Sequence, residues 1–139
     1  MVKKKVLIVV GNYYEQVSGF LIEGAKKYFK PLEDFYQVTI TKVPGCFEIP
    51  YTIYSAKIYD YDGYVALGCI IRGETYHFEL ISNEVTRKIM DLSIDLKKPI
   101  GFGILTCENL EQALVRSDPK KGNKGGEAAD ACHRLLDIT

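Results

Sequence analysis

The segment 68–77 combines residue types that suit chemistry on a phosphorylated small molecule. Apolar residues 64–71 lead into the polar turn 72–75, and His77 follows at the start of a helical pattern. Backbone N–H groups at a helix N-terminus bind anions such as phosphate, and a histidine can titrate near neutral pH. We therefore interpret the turn as a candidate phosphate site and His77 as a candidate general acid or base, with an ordinary polar helix start as the alternative.

Further candidate binding residues lie elsewhere in the chain. Arg116 could bind phosphate through two parallel hydrogen bonds, or it could be a solvated surface charge. Residues 117–126 predict a polar loop rich in lysine and glycine, but they do not form a Walker A sequence. Aromatic side chains near the ends of predicted strands could stack on a flat heterocycle or pack against a neighbouring subunit: Tyr13, Tyr14, Phe47 and Phe102.

Composition narrows the class of protein. The chain has 139 residues, with 18 Lys and Arg against 18 Asp and Glu, so its formal net charge is zero. This length favours one domain over residues 1–139, and the charge balance disfavours nucleic-acid binding while permitting self-association. The apolar run 6–10 is too short for a signal peptide or a membrane span. We expect neither a membrane nor a nucleic-acid partner.

Cysteine and histidine usage matches no familiar metal site. The four cysteines form no C-x-x-C pair, and two histidines cannot complete a zinc pattern. We interpret all four cysteines as reduced and mostly packed, which indicates a reducing compartment such as the bacterial cytoplasm. They are Cys46, Cys69, Cys107 and Cys132.

Alternating strands and helices must position these residues. Strand-like runs occur at 6–10, 36–41, 64–71 and 100–106, and helical patterns at 17–29, 47–59, 75–96, 110–114 and 128–136. That order predicts a parallel sheet covered by helices on both faces, with ligands bound outside the carboxyl ends of the strands. Three turns leave those ends, at 11–15, 43–48 and 72–77. A receiver-type signalling domain is disfavoured because no acidic pair follows the first strand.

Four segments, in order along nearly the whole chain, resemble signature sequences of lumazine synthase, an enzyme of riboflavin biosynthesis. Residues 43–50 read Val-Pro-Gly-Cys-Phe-Glu-Ile-Pro, and residues 67–79 read Leu-Gly-Cys-Ile-Ile-Arg-Gly-Glu-Thr-Tyr-His-Phe-Glu. Residues 102–113 and 122–129 are similar to a third and a fourth block. The resemblance implies a three-layer α/β sandwich, with a four-stranded parallel sheet flanked by helices on both faces in the flavodoxin-like order 2-1-3-4.

The resemblance also implies a reaction. In this family 5-amino-6-(D-ribitylamino)uracil condenses with L-3,4-dihydroxy-2-butanone 4-phosphate to give 6,7-dimethyl-8-ribityllumazine, phosphate and water, and no metal or organic cofactor is needed. A non-catalytic carrier of flavin or lumazine on the same fold is the alternative. His77 and Arg116 together favour the enzyme, because a carrier needs no residues for phosphate release.

Site residues follow from the resemblance position by position. His77 matches the proton-transfer residue, and Lys124 and Glu127 match supporting polar residues. Those expected to bind phosphate are Gly73, Glu74, Thr75 and Arg116. Those expected to bind the pyrimidine and its ribityl chain are Tyr13, Cys46, Phe47, Glu48, Cys69, Ile70, Ile71 and Phe102. Cys46 stands where the family usually has a smaller or hydroxyl-bearing residue, so a contact there is expected through the backbone.

The expected partners are the two substrates and further copies of the chain. The resemblance implies a homopentamer with active sites between adjacent subunits, where Phe102 and Arg116 come from the neighbour. A sixty-subunit icosahedral shell is the larger alternative. Two features favour the bare pentamer: Ser117-Asp118-Pro119 replaces a glycine-containing run that is associated with shells, and the first strand begins close to residue 1.

Overall fold

The strand-like runs of the sequence form one parallel sheet. The computed structural model describes residues 2–139, and its strands are β1 (Lys4–Gly11), β2 (Tyr36–Val43), β3 (Gly63–Ile71) and β4 (Ile100–Cys107). Their order is β2-β1-β3-β4, and all neighbours are parallel, which confirms the predicted topology. The central strands β1 and β3 are buried on both faces, and this explains their continuous apolar sequences.

Five α-helices cover the two faces of the sheet. They are α1 (Glu15–Phe29), α2 (Ile49–Ser55), α3 (His77–Leu96), α4 (Leu110–Ser117) and α5 (Lys124–Ile138). Alternate residues of β1 separate two hydrophobic clusters: Val6, Ile8 and Val10 pack with α1, α4 and α5, whereas Leu7 and Val9 pack with α2 and α3. The three-layer sandwich is therefore confirmed.

The boundaries of α4 and α5 differ from the prediction. Helix α4 continues to Ser117, whose buried hydroxyl donates to the carbonyl of Ala113 at 2.7 Å. It ends because Asp118 precedes a proline and is held out of helical geometry. Helix α5 already begins at Lys124, so the polar loop spans only 118–123 rather than 117–126. Arg116 consequently lies within a helix instead of beside a long flexible loop.

Two glycines of the predicted loop 117–126 belong to the start of α5. Gly125 and Gly126 are buried in the first turn of α5, and the Asn123 side chain accepts a hydrogen bond from the Gly126 N–H. A Cβ atom on Gly125 would lie 2.1 Å from the carbonyl oxygen of Leu21 in α1. Only glycine permits this approach at position 125, where α1 and α5 meet, and a Cβ atom on Gly126 would collide with the Asn123 side chain that caps the helix.

Other sequence expectations concern cysteines and membranes. All four cysteines are free thiols and all are buried, which confirms that they are packed. Among residues 2–139, no group of three or more His, Cys, Asp or Glu side chains is arranged to hold a metal ion. Within the same residues, no helix is both long enough and apolar enough to cross a bilayer.

Candidate active site

A cavity of about 340 Å³ opens at the carboxyl end of the sheet. Residues from all three predicted turns line it, together with the end of β3 and the start of α3. The sequence-predicted residues that meet here are Tyr13, Cys46, Phe47, Glu48, Cys69, Ile70, Ile71 and His77. Parallel strands bring their carboxyl ends to one edge, and this explains why segments distant in sequence meet at one place.

The last part of β3 forms an open strand edge in this cavity. β1 pairs with β3 only as far as Val10 and Leu67, so residues 68–71 extend beyond that pairing. On its other side β3 stays paired with β4 up to Ile71 and Cys107. Backbone groups on the β1 side of 68–71 can therefore hydrogen-bond a ligand without breaking the sheet.

A short 3-10 turn, Cys46–Glu48, closes the cavity on the β1 side. A Cβ atom on Gly68 would lie 2.5 Å from the Cys46 sulfur, so the turn rests directly on β3. Cys46 is buried, whereas the neighbouring Phe47 is 62% exposed and Tyr13 is 74% exposed. Among the aromatic rings of residues 2–139, the Tyr13 ring meets only the Tyr14 ring, edge to face with centroids 4.9 Å apart. Two largely exposed aromatic side chains thus stand at the cavity.

The thiols that line the cavity are poor nucleophiles. Burial raises the pKa of Cys46 to about 12, despite a hydrogen bond with the backbone of Cys69 that lowers it. Burial also raises the pKa of Cys69, and the nearby Cys107 and Cys46 add to this effect. A thiolate is the reactive form of cysteine, so both side chains are neutral wall groups near neutral pH.

The turn between β3 and α3 carries free backbone donors. Residues 73–76 are exposed, and within residues 2–139 their N–H groups donate to no acceptor. The His77 N–H donates to the Thr75 hydroxyl at 3.2 Å, which orders the first turn of α3. Gly73, Glu74 and Thr75 thus lie beside His77 in a turn whose amides can bind an anion.

The remaining predicted residues lie at a second place. A groove of about 400 Å³ is lined by Phe102, Arg116 and Lys124 with residues 103–106, along the outer edge of β4. Lys124 forms an ion pair with Glu127 at 3.3 Å. The Arg116 guanidinium lies 3.9 Å from the Cys107 sulfur, a weak contact. The groove and the cavity share no lining residue.

The register of β4 explains this separation for Phe102. Phe102 pairs with Ala66, whereas Cys107 pairs with Ile71 at the cavity. Five residues of strand span about 16 Å. Phe102 therefore lies toward the amino end of its strand, away from the other aromatic candidates at the carboxyl ends of the same chain.

Two cavity residues, Gly45 and Ile81, were not predicted as site residues. Tyr14, which was predicted only as an aromatic candidate, also lines the cavity. Ile81 follows His77 by four positions, so helical spacing could have indicated it. Tyr14 follows Tyr13 directly, and its pKa is raised mainly by burial. Nothing in the spacing of Gly45 distinguished it from an ordinary turn residue.

Comparison with known proteins identifies the family of the chain. A family model described as 6,7-dimethyl-8-ribityllumazine synthase matches residues 3–139. The chain belongs to the 6,7-dimethyl-8-ribityllumazine synthase family. Membership in the 6,7-dimethyl-8-ribityllumazine synthase family confirms the prediction of a transferase of riboflavin biosynthesis.

Curated relatives bearing the family's name cover almost the whole chain. The protein from Novosphingobium aromaticivorans is 51% identical over 133 residues, which is 95% of this chain and 94% of the relative. The protein from Bartonella tribocorum is 52% identical over 132 residues, covering 93% and 85%. The protein from Zymomonas mobilis is 45% identical over 135 residues, covering 96% and 95%.

Proposed function

We propose that the chain condenses 5-amino-6-(D-ribitylamino)uracil with L-3,4-dihydroxy-2-butanone 4-phosphate to form 6,7-dimethyl-8-ribityllumazine, phosphate and water. The cavity at the carboxyl end of the sheet supports this reaction. It combines an open strand edge and two aromatic faces with a histidine, and free backbone amides lie next to that histidine. A heterocycle at the strand edge and a phosphate at the turn would hold their reactive groups next to each other.

The pyrimidine is assigned to the wall formed by β3 and the 3-10 turn. Backbone groups of Cys69, Ile70 and Ile71 would hydrogen-bond the ring edge, and Tyr13 and Phe47 would cover its faces. The half-buried Glu48 carboxylate would accept from ribityl hydroxyl groups. Cys46 would contribute its backbone, because its thiol packs against Gly68.

Proton transfer is assigned to His77. Imine formation between the substrate amine and the ketone, and the later ring closure, both move protons at neutral pH. An imidazole at the cavity can accept and return them, which contributes about 10²–10⁴ in rate. Holding two small reactants in reactive geometry supplies a further, larger part of the acceleration.

Phosphate release is assigned to the turn and to the neighbouring subunit. The amides of Gly73, Glu74 and Thr75 would bind phosphate in the ground state and stabilise its charge as it leaves. Arg116 would supply a fixed positive charge, with Lys124 and Glu127 in supporting positions.

We further propose a cytoplasmic homopentamer of single-domain subunits, with the sixty-subunit shell as the larger alternative. A complete site would join the cavity of one subunit to the groove of the next, which carries Phe102 and Arg116. The separation of these two surfaces within one chain supports this arrangement.

The experiment mixes the protein with both substrates and follows the fluorescent lumazine and released phosphate together. Stoichiometric appearance of both is the expected result. The control replaces the phosphorylated ketone with inorganic phosphate. Binding of riboflavin or lumazine with no phosphate released from the complete mixture would instead show a carrier and overturn the enzymatic assignment.

A further inference from the structure

Arg72 lies where the ends of two strands meet the first turn of α3. Its backbone N–H donates to the carbonyl of Cys107 at 2.9 Å. Its Nη1 donates to the carboxylate of Glu79, and its Nε donates to Glu108 Oε2 at 2.9 Å. The guanidinium carbon also stands 4.4 Å from the centroid of the Phe78 ring.

These contacts add a polar connection between the first turn of α3 and the strand ends, whereas further along α3 Val85 and Ile89 pack on the sheet through apolar contacts. Among residues 2–139, the N–H groups of residues 73–76 find no acceptor, and the Tyr76 carbonyl accepts only from the Leu80 N–H of α3 at 3.0 Å, so the chain between β3 and α3 is weakly held. Phe78 and Glu79, which directly follow His77, are the two α3 residues that Arg72 contacts. The position of His77 relative to β3 therefore depends on this arginine.

We propose that Arg72 is a positioning residue: it holds the start of α3 against the ends of β3 and β4, and thereby fixes His77 and the anion-binding turn beside the cavity. The proposal rests on the proposed function. Arg72 does not line the cavity, so it acts through its neighbours rather than on substrate. Arginine suits the task because its two edges bind carboxylates from separate elements while its flat face stacks on an aromatic ring.

The charge of Arg72 has a second consequence for the turn. Glu79 and Glu108 both lie close to the region where phosphate would bind, and the single guanidinium offsets them. Hydrogen bonds from its own backbone N–H and from Arg72 lower the pKa of Glu79, so the pair stays ionised at neutral pH. Without Arg72, these carboxylates would repel an approaching phosphate.

The same helix offers a matched control. Arg87 also bridges two carboxylates, Glu84 at 3.1 Å and Asp91 at 3.3 Å, and is exposed to a similar degree. It lies more than two turns along α3 from His77 and contacts neither the turn nor a strand end. Arg87→Gln therefore removes an equivalent surface charge network without touching the site.

The kinetic experiment compares Arg72→Gln with Arg87→Gln in the full-length protein. For Arg72→Gln we expect kcat/KM for the phosphorylated substrate to fall about 10- to 100-fold, the range that a displacement of about 1 Å produces. The dissociation constant for the ribitylamino pyrimidine and the thermal midpoint should match those of Arg87→Gln. Arg72→Lys should resemble Arg72→Gln, since one ammonium group cannot bridge two carboxylates while stacking on Phe78.

A spectroscopic measurement reports on His77 directly. His77 and His133 are the only histidines, so protein labelled with [¹³C]histidine gives two ring signals per subunit. Arg72→Gln should shift the His77 signal and leave His133, at the far end of the sheet, unchanged. Arg87→Gln should move neither signal.

The outcomes separate the two proposals. A wild-type protein that forms no lumazine refutes the proposed function itself. An active wild type with Arg72→Gln equal to Arg87→Gln in kinetics and spectra overturns the positioning role alone. Equal losses of pyrimidine binding and thermal stability would also overturn it, because Arg72 would then support the whole fold. If Arg72→Gln does not fold, Glu108→Gln takes its place, and its kcat/KM for the phosphorylated substrate should fall by a smaller factor. A Glu108→Gln variant with unchanged kcat/KM would then contradict the proposal.

Discussion

Two defective variants should restore each other's activity if each site is shared between subunits. His77→Ala damages the cavity, whereas Arg116→Ala damages the separate groove along the outer edge of β4. Phe102, the other end of the groove, is offset from the level of Ile71 by about 16 Å along the strands. Under the shared-site proposal, one chain cannot complete its own site, and a mixed oligomer can.

The size of the recovery follows from counting interfaces. In a ring of head-to-tail subunits mixed in equal amounts, about a quarter of the interfaces join an intact cavity to an intact groove. The mixture should reach about a quarter of wild-type kcat, well above the mean of the two parent variants. A site contained in one chain would leave every site with one defect.

The assay co-refolds the two variants with different affinity tags and purifies oligomers that carry both. Lumazine fluorescence gives kcat per subunit, and light scattering verifies that the assembly state matches the wild type. Simple mixing of folded variants without exchange is the control. Co-refolded oligomers no more active than the parental mean would refute the shared site.

Four other changes test separate parts of the structure. His77→Ala should lower kcat by about 10²-fold without abolishing turnover, since positioning is retained; steady-state kinetics decides, and complete loss with substrate binding intact contradicts this. A Cβ atom added at Gly73 would meet no atom of residues 2–139 within 4 Å. Gly73→Ala should therefore stabilise the folded protein by about 0.4–1 kcal/mol while raising KM for the phosphorylated substrate. Gly125→Ala, whose new methyl group would collide with α1, should destabilise the protein by about 1–3 kcal/mol or more. Chemical denaturation should therefore find Gly73→Ala more stable than the wild type and Gly125→Ala less stable. The Tyr28 hydroxyl donates to the Asp130 carboxylate and thereby lowers the pKa of Asp130. Tyr28→Phe should therefore destabilise the protein at pH values above the ordinary pKa of aspartate, and the difference from wild type should vanish as the pH falls through the lowered pKa of Asp130. Denaturant unfolding of both proteins at pH 7 and in acid measures this difference.

The sheet could be predicted because its local pattern reflects its burial. β1 and β3 lie between two helical layers, so nearly every residue is apolar and the strands stand out in the sequence. The turns after β1, β2 and β3 were equally visible from glycine, proline and polar residues. Parallel pairing then placed their side chains at one edge, which is why most predicted pyrimidine-binding residues meet in one cavity.

The ends of α4 and α5 could not be predicted in the same way. Lys124, Gly125 and Gly126 have the composition of a loop, and only their contact with α1 makes a helix favourable there. Tertiary packing outweighs weak helix propensity in such a segment. For the same reason, Arg116 appeared to lie at a loop although it belongs to the last turn of α4.

The sequence by itself determined the family, the alternation of elements, and the residues around the cavity, because these depend on side-chain types and on spacing over a few positions. Only the tertiary structure decided which residues share a surface. The register of β4 separated Phe102 from His77, and the meeting of two strand ends with α3 brought Arg72 to Glu79 and Glu108. Such contacts join residues of separate elements, and their distances depend on strand register and helix packing, which local periodicity does not encode.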